Sequence, residues 1–267
     1  MRGWWHEIAG LVLPVVCAGC GLPGTGLCAE CAEALTEEGP CRVWPAPEPA
    51  GLPPVHAAAP YAGAVRELLL AHKERGALAL AGPLGEALAG AVTAAGGALD
   101  GPGPRPLLLV PVPSSRRSVR ARGHDPTRRI ALAAAARLRA AGRPARVVPV
   151  LRQRRRVADQ AGLGARERLA NLAGALEVVP GGGRLLAAGK VVLVDDLMTT
   201  GATLAEAARA IGAVHLPFIR GMGKGRADGF AQHGIEQRVA AVIASSPASF
   251  EINRNSPGTW IVAGGER

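Results

Sequence analysis

The chain has 267 residues, 48% of them hydrophobic, so it can bury a sizeable core and wholesale disorder is excluded. Its formal net charge is +10, and because only three lysines occur, nearly all of the positive charge is arginine. That charge indicates either an anionic partner or a basic solvated surface, and 3% aromatic residues disfavour a stacking platform for single-stranded nucleic acid.

The N-terminal region predicts a short apolar helix over residues 4–13, followed by a cysteine-rich segment over 17–41. Arg2 and the apolar residues 8–16 also resemble a secretory leader, but a leader cleaved there would destroy the cysteine cluster that follows. No apolar run reaches the about 20 residues that a membrane-spanning helix needs. The expected location is therefore cytoplasmic, with no membrane partner.

Four cysteines form two CxxC pairs separated by seven residues, a metal-binding spacing rather than a disulfide framework; they are Cys17, Cys20, Cys28 and Cys31. Four thiolates at this spacing suit tetrahedral Zn²⁺ and leave no open coordination position, so the predicted zinc is structural. The alternative is a set of free cysteines in a small hydrophobic module. Cys41 is left over, either as a free thiol or as the remnant of a longer cysteine set.

Downstream, residues 46–60 are rich in proline and predict a linker. Helical spacing follows at 65–69, and an Ala/Leu-rich helix is predicted over 77–95 with an interruption at Gly82-Pro83. The continuous apolar run 107–112 predicts a strand that is buried on both faces. Asp125-Pro126 predicts the start of a helix that continues through Leu138 and ends at Gly142.

Further strands are predicted over 147–151, 176–179, 191–194 and 239–244, and a helix over 202–211. Residues 152–168 predict a long polar loop. Alternating strands and helices favour an α/β fold with a mainly parallel sheet.

The segment VVLVDDLMTTGAT at 191–203 is the main candidate site. Asp195 and Asp196 follow a β-branched run, at the carboxyl end of a strand, where open α/β sheets bind ligands. Their carboxylates suit a ribose diol or Mg²⁺. A turn into a helix, with threonine hydroxyls and Gly201, offers donors for a phosphate. The less specific interpretation is an acidic strand end followed by a threonine-capped helix. A P-loop is excluded because GxxxxGK[ST] is absent.

This segment resembles the signature of type I phosphoribosyltransferases, which bind phosphoribosyl pyrophosphate (PRPP), and other stretches resemble the ComF/GntX family within that class. These stretches are the cysteine segment, Tyr61–Gly63 with Arg66, Lys73 and Gly76, Val110–Pro113 with Arg117 and Arg122-Gly123, and Gln160, Leu163, Arg166, Arg168 and Asn171. His124-Asp125-Pro126 departs from the family, which often has an aromatic residue, Asn and Gln there.

The resemblance implies PRPP-binding residues Asp195, Asp196, Met198, Thr199, Thr200, Gly201, Ala202 and Thr203, with the two aspartates as catalytic residues and Mg²⁺ nearby. It places the pyrophosphate arm at the loop after an early strand, with Ser114, Ser115, Arg116, Arg117 and Arg122 as candidates. The polar groups of 160–171 are either a mobile hood over the site or makers of loop hydrogen bonds.

The implied chemistry is displacement of pyrophosphate from the anomeric carbon, a pentosyl glycosyltransferase reaction with an unidentified acceptor, in which Asp196 is also a candidate base. Two alternatives stay open: a non-catalytic PRPP-binding regulator, and a factor in DNA uptake and competence that contacts single-stranded DNA or competence machinery through arginines 152 and 154–156. If the chain self-associates, a homodimer is the assembly that we expect.

Four regions are thus expected. Residues 1–45 are an N-terminal helix and a zinc-ribbon-like segment, 46–60 a linker, 61–248 a phosphoribosyltransferase-like domain with an insertion at 214–238, and 249–267 a C-terminal tail.

Overall fold

The β-branched run at 191–194 forms the middle of a strand, β7 (Lys190–Met198), at the centre of the protein. Val192, Leu193 and Val194 are fully buried, as expected for a parallel strand that helices cover on both faces. The computed structural model describes residues 15–96, 105–155, 171–214 and 238–249.

The elements follow in chain order, with a 3₁₀ turn at Leu78–Leu80. They are α1 (Ala29–Glu33), β1 (Cys41–Val43), β2 (Val55–Pro60), α2 (Gly63–Glu74), α3 (Ala81–Ala94), β3 (Leu107–Pro111), α4 (Arg116–Arg122), α5 (Pro126–Ala140), β4 (Ala145–Val147), β5 (Leu151–Gln153), β6 (Leu176–Val178), α6 (Gly182–Leu186), β7, α7 (Ala202–Gly212) and β8 (Val239–Ser245).

Within the described residues, six strands form the central sheet in the order β1-β2-β8-β7-β3-β4. The pairings from β2 through β4 are all parallel, and β1 alone is antiparallel to its neighbour β2. Strands β5 and β6 form a separate antiparallel pair. The prediction of an α/β fold with a mainly parallel sheet is therefore confirmed.

Alternate residues of the central strands serve two cores, one on each face of the sheet. Leu109, Val192 and Val194 face a cluster that α2, α3 and α5 cover, whereas Leu108 and Leu193 face a cluster that α6 and α7 cover. This alternation follows from the period of two in a β-strand, and it explains why both sets of side chains are apolar.

Prolines account for two differences from the sequence-based elements. Helix α3 runs through Gly82-Pro83 without interruption, because Pro83 lies in the first turn, where a missing N–H removes no helical hydrogen bond. The strand predicted over 147–151 is two short strands in different sheets, β4 and β5. Pro149 lies between them and cannot donate to a sheet ladder, so the pairing stops and the chain changes sheets.

The proline-rich region contributes directly to the central sheet. Strand β2 lies within the range 46–60 predicted as a linker, and it pairs with β8 from Val55 to Pro60. Strand β1, at the end of the cysteine segment, pairs with β2 in turn. Residues 44–54 form the connection between these two strands.

Several predicted segments lie outside the described residues: the helix at 4–13, most of the loop at 152–168, and almost all of the insertion at 214–238 and the tail at 249–267. The first two residues of that predicted loop, Arg152 and Gln153, belong instead to β5. Within the described ranges, no helix combines the length and the apolar character needed to cross a lipid bilayer.

Candidate functional site

The carboxyl ends of four parallel strands meet at one edge of the sheet. The register pairs Met198 of β7 with Ser245 of β8, and Pro60 of β2 with the same serine. On the other side of β7, the Val112 N–H that follows β3 donates to the Val194 carbonyl at 2.9 Å. Segments after β2, β3, β7 and β8 therefore border one common region.

Asp195 and Asp196 lie at this edge, near the end of β7 and just before the threonine-rich segment. The Asp196 side chain is buried, and its backbone N–H donates to Asp195 Oδ1 at 2.9 Å. Lys73, near the end of α2, donates from Nζ to Asp196 Oδ2 at 2.8 Å. The site thus combines two adjacent carboxylates with one ammonium.

Burial and neighbouring charges shift the pKa values of Asp195 and Lys73. Removal from water and the neighbouring Asp196 charge raise the pKa of Asp195 well above its ordinary value, and the Lys73 ammonium offsets this only in part. Burial opposes the charged form of Lys73, but the carboxylates of Asp196 and Asp195 outweigh it and raise the pKa of Lys73. Such mutual perturbation in a small cluster is typical of functional sites.

The segment after β7 turns sharply into α7. Gly201 has φ +72°, which favours glycine, and its carbonyl accepts the first helical hydrogen bond from Ala205 N–H at 2.9 Å. Thr200 Oγ1 accepts from Ala202 N–H at 3.4 Å, Thr199 is exposed and Thr203 is half-buried. The Met198 side chain is buried in the core, so only its backbone borders the turn.

The connection between β1 and β2 packs over this turn. A Cβ placed on Gly201 would lie 3.0 Å from Leu52 and 3.3 Å from Pro49. A cavity of about 120 Å³ lies between the residues of this connection and the ends of β7 and β8, lined by Pro45, Ala46, Pro47, Thr199, Thr200, Ser246, Ala248 and Ser249. Hydroxyl groups that follow two strand ends thus line one shared cavity.

The candidates for a pyrophosphate site follow β3, beside the acidic pair, but much of their hydrogen bonding is internal. Ser115 caps α4, accepting from Ser118 N–H at 3.0 Å. Arg122 makes a bidentate ion pair with Glu74, at 3.0 and 2.6 Å. Ser114 is half-buried and Arg117 is exposed. Arg116 is the first residue of α4, and its side chain is not among those that the structure describes.

The triplet that departs from the family pattern has structural contacts. Asp125 caps α5 by accepting from Arg128 N–H at 3.0 Å, with Pro126 in the first turn. His124 places Nε2 at 3.2 Å from the His72 carbonyl and Nδ1 at 3.1 Å from the Arg122 carbonyl. This triplet therefore joins the end of α4 to the end of α2.

Two of the arginines considered for DNA binding have partners within the chain. Arg152 pairs with Glu177 at 2.8 Å, and Arg155 donates to the carbonyls of Asn171 and Ala173 at 2.8 and 2.9 Å. Arg156 and the predicted hood residues Gln160, Leu163, Arg166 and Arg168 lie outside the described residues.

The cysteine cluster is a candidate metal centre remote in sequence from the acidic pair. The sulfur atoms of Cys17, Cys20, Cys28 and Cys31 all lie within 4.8 Å of one another. Two of the separations, Cys17–Cys28 and Cys20–Cys28, are 3.6 Å, close to the about 3.8 Å edge of a tetrahedron with Zn–S bonds of about 2.3 Å. The four cysteines are thus positioned to hold a metal ion, consistent with structural zinc.

Local backbone geometry supports this centre. Burial raises the pKa of Cys17, but backbone N–H groups of Cys20, Cys28 and Gly19 outweigh it and lower that pKa to about 6. Gly19 has no room for a side chain, since a Cβ there would lie 2.7 Å from Cys31 Sγ. Metal binding by a thiolate is thus favoured at the first cysteine.

The sequence does not predict that Lys73 belongs to the site. Lys73 falls within the first helical block of the family resemblance, and no local pattern ties it to a strand 123 residues away. The available signal was its rarity, because Lys73 is one of three lysines in a chain with 31 basic residues.

Comparison with protein-family models and with curated protein sequences gave no match for this chain.

Proposed function

We propose that this protein is a phosphoribosyltransferase-like protein of the ComF/GntX kind, which binds PRPP with Mg²⁺ and transfers the phosphoribosyl group to an acceptor, releasing pyrophosphate. One observation carries the proposal. An acidic pair and a threonine-glycine turn lie consecutively at the carboxyl end of a central parallel strand. A ribose 5-phosphate presents a diol and a phosphate in the matching order.

Each part of the segment has a binding role in this proposal. The Asp195 and Asp196 carboxylates accept hydrogen bonds from the ribose hydroxyls, since ionised carboxylates are strong acceptors. Backbone N–H groups and hydroxyls of 199–203 bind the 5′-phosphate at the start of α7, where the helix dipole favours an anion. Gly201 permits the tight turn that aims these donors at one point.

The acidic pair also suits the metal ion, because carboxylate oxygens are ligands that Mg²⁺ prefers. Bound Mg²⁺ would neutralise charge on the departing pyrophosphate. The residues after β3, Ser114 and Ser115 with Arg117, lie on the flank of β7 opposite to β8 and are the proposed neighbours of that leaving group. The chain then contributes by orienting the sugar and excluding water from the anomeric carbon.

Calorimetric titration with PRPP and Mg²⁺ tests the proposal. The wild type should bind, and an Asp195→Asn/Asp196→Asn variant should show no measurable binding, because amides are weaker acceptors for the diol and the cation. A Glu37→Gln/Glu38→Gln variant is the matched control, because it removes two adjacent carboxylates that are exposed and distant in sequence from Asp195 and Asp196. Absence of binding to a folded, zinc-loaded wild type would contradict the proposal.

Turnover is tested separately from binding. Product formation from PRPP with a panel of nucleobases as acceptors, followed with released pyrophosphate, distinguishes a transferase from a PRPP-binding regulator. Binding without product across the panel would favour the regulator.

A further inference from the structure

Lys73 contacts the acidic pair from outside the β7–α7 segment. Its Nζ lies 2.8 Å from Asp196 Oδ2, and the two side chains differ in exposure, 34% for Lys73 and 7% for Asp196. The strand therefore fixes the carboxylate, whereas the ammonium is at the end of a flexible four-carbon stem with access to solvent. Of the two partners, Lys73 is the one that is able to move.

The surroundings of Lys73 place it between the acidic pair and the segment after β3. Its neighbour Glu74 pairs with Arg122 at 2.6 Å, and the carbonyl of its other neighbour, His72, lies 3.2 Å from His124 Nε2. Both contacts hold the end of α4 against the end of α2. The chain that follows β3, where the pyrophosphate arm is proposed to lie, is thus adjacent to the helix end that carries Lys73.

A cation at this position lowers the electrostatic cost of binding an anionic ligand beside the acidic pair. Two adjacent carboxylates repel a ligand that carries both a phosphate and a pyrophosphate. Arg122 is engaged by Glu74 through two hydrogen bonds, whereas Lys73 is directed at the acidic pair itself. Lys73 therefore offsets the charge that would otherwise oppose the ligand.

We propose that Lys73 is a ligand-binding residue that exchanges partners, leaving Asp196 for the anionic pyrophosphate arm while the released carboxylate accepts a ribose hydroxyl or the divalent cation. The exchange rests on the proposed function, since it needs a ligand with both a diol and an anionic arm. A phosphate oxygen offers the ammonium a charge-assisted hydrogen bond equivalent to the one it gives up.

The test compares Lys73→Met and Lys73→Arg with Arg75→Met as the matched control. Arg75 is two residues further along, 59% exposed and paired with Glu67 at 3.0 Å, so its loss removes the same charge away from the site. Two titrations are made on full-length protein: PRPP with Mg²⁺ by calorimetry, and Mn²⁺ alone, with free ion counted by electron paramagnetic resonance. Thermal unfolding and zinc content confirm that each variant is folded.

The exchange predicts opposite changes in the two titrations. Lys73→Met should weaken PRPP binding by about tenfold or more, the loss expected for one hydrogen bond between charged groups. It should tighten the binding of Mn²⁺, because Asp196 loses its competing cation. Lys73→Arg should retain most of the PRPP affinity, and Arg75→Met should change both affinities by no more than about twofold, as for a surface pair.

Three outcomes overturn the exchange. If Lys73→Met matches Arg75→Met in both titrations, Lys73 has no part in binding. If Lys73→Met weakens the binding of PRPP and of Mn²⁺ together, Lys73 is a fixed support for Asp196. If the wild type binds Mn²⁺ but not PRPP, the proposed function fails, and the exchange fails with it for want of its anionic ligand.

Discussion

Asp195 is held at an energetic cost in the folded protein. It lies next to a second carboxylate at a partly desolvated strand end, and both effects disfavour its ionised form. The Lys73 ammonium offsets only part of the resulting rise in the pKa of Asp195. A carboxyl group at such a position fits the binding role proposed for Asp195, because stability alone would favour a neutral residue there.

This cost predicts a pH-dependent gain in stability for Asp195→Asn. A carboxyl whose pKa is raised by folding contributes stability below the ordinary aspartate pKa, and that contribution is lost as pH rises through the raised value. The variant should therefore unfold at a higher Tm than the wild type at neutral pH, and the difference should shrink in acid. Thermal unfolding across a pH series measures it, with Glu37→Gln as the exposed control; an equal or lower Tm at neutral pH would contradict the prediction.

Residue-level prediction from the sequence was good where the chain is contiguous and poor where the fold brings distant residues together. The acidic pair and the Thr199–Thr203 turn lie at a strand end, as the run at 191–194 predicts. The contact of Lys73 with Asp196 depends on how α2 docks on the sheet, and the pairing of Arg122 with Glu74 depends on α4 meeting α2. No local pattern contains either contact.

At the scale of elements, the packing of α3 on α5 depends on one glycine. Gly85 is buried, and a Cβ there would contact the Ala133 side chain and lie 2.9 Å from Ala134 N. The obstacle is largely helix backbone, which cannot move aside as a flexible side chain does. Close approach of the two helices therefore requires the absence of a side chain at this position.

Two alanine substitutions in α3 separate this packing effect from helix propensity. Gly85→Ala should destabilise the protein by about 1–3 kcal/mol, as for overpacking of a core. Gly82→Ala, where a Cβ would meet nothing within 4 Å, should be neutral or stabilise by up to about 1 kcal/mol. Urea unfolding gives both values, and equal effects at the two positions would refute the role assigned to Gly85.

The types of the elements were easier to predict than their number and ends. Long periodic segments such as α5 and α7 follow their sequence patterns closely. Strands β1 and β2 were missed, because the prolines around them indicate a linker and because a strand's pairing partner is not encoded locally. The split of 147–151 into β4 and β5 is explained by Pro149, which interrupts strand pairing between them.

At the scale of the whole molecule, the cysteine segment and the sheet share one core. Cys17, Cys28 and Cys31 belong to the same buried cluster as Leu68 of α2 and Leu88 of α3. A cluster that is continuous across two segments is expected to unfold as one cooperative unit. The predicted boundary at 45 thus divides the sequence but not the core.

Removal of zinc should therefore destabilise the entire protein. Metal analysis should find about one zinc per chain, and a strong chelator should lower the Tm of a single unfolding transition, because the ion binds the folded state. Cys41→Ser is the control and should retain the metal, since Cys41 is outside the four-sulfur cluster. Two separate transitions, with only the minor one sensitive to chelator, would show that the cysteine segment folds independently.

Strand β1 has a consequence for self-association. By pairing with β2 it covers one edge of the central sheet, and among the described residues its own outer edge is only three residues long. Without β1, the six residues Val55–Pro60, most of them small and apolar, would present an open row of N–H and C=O groups to other chains. A fragment trimmed to begin after residue 45 would lack β1 and would thus be prone to edge-to-edge aggregation. In the full chain, β1 prevents such association by occupying the edge of β2.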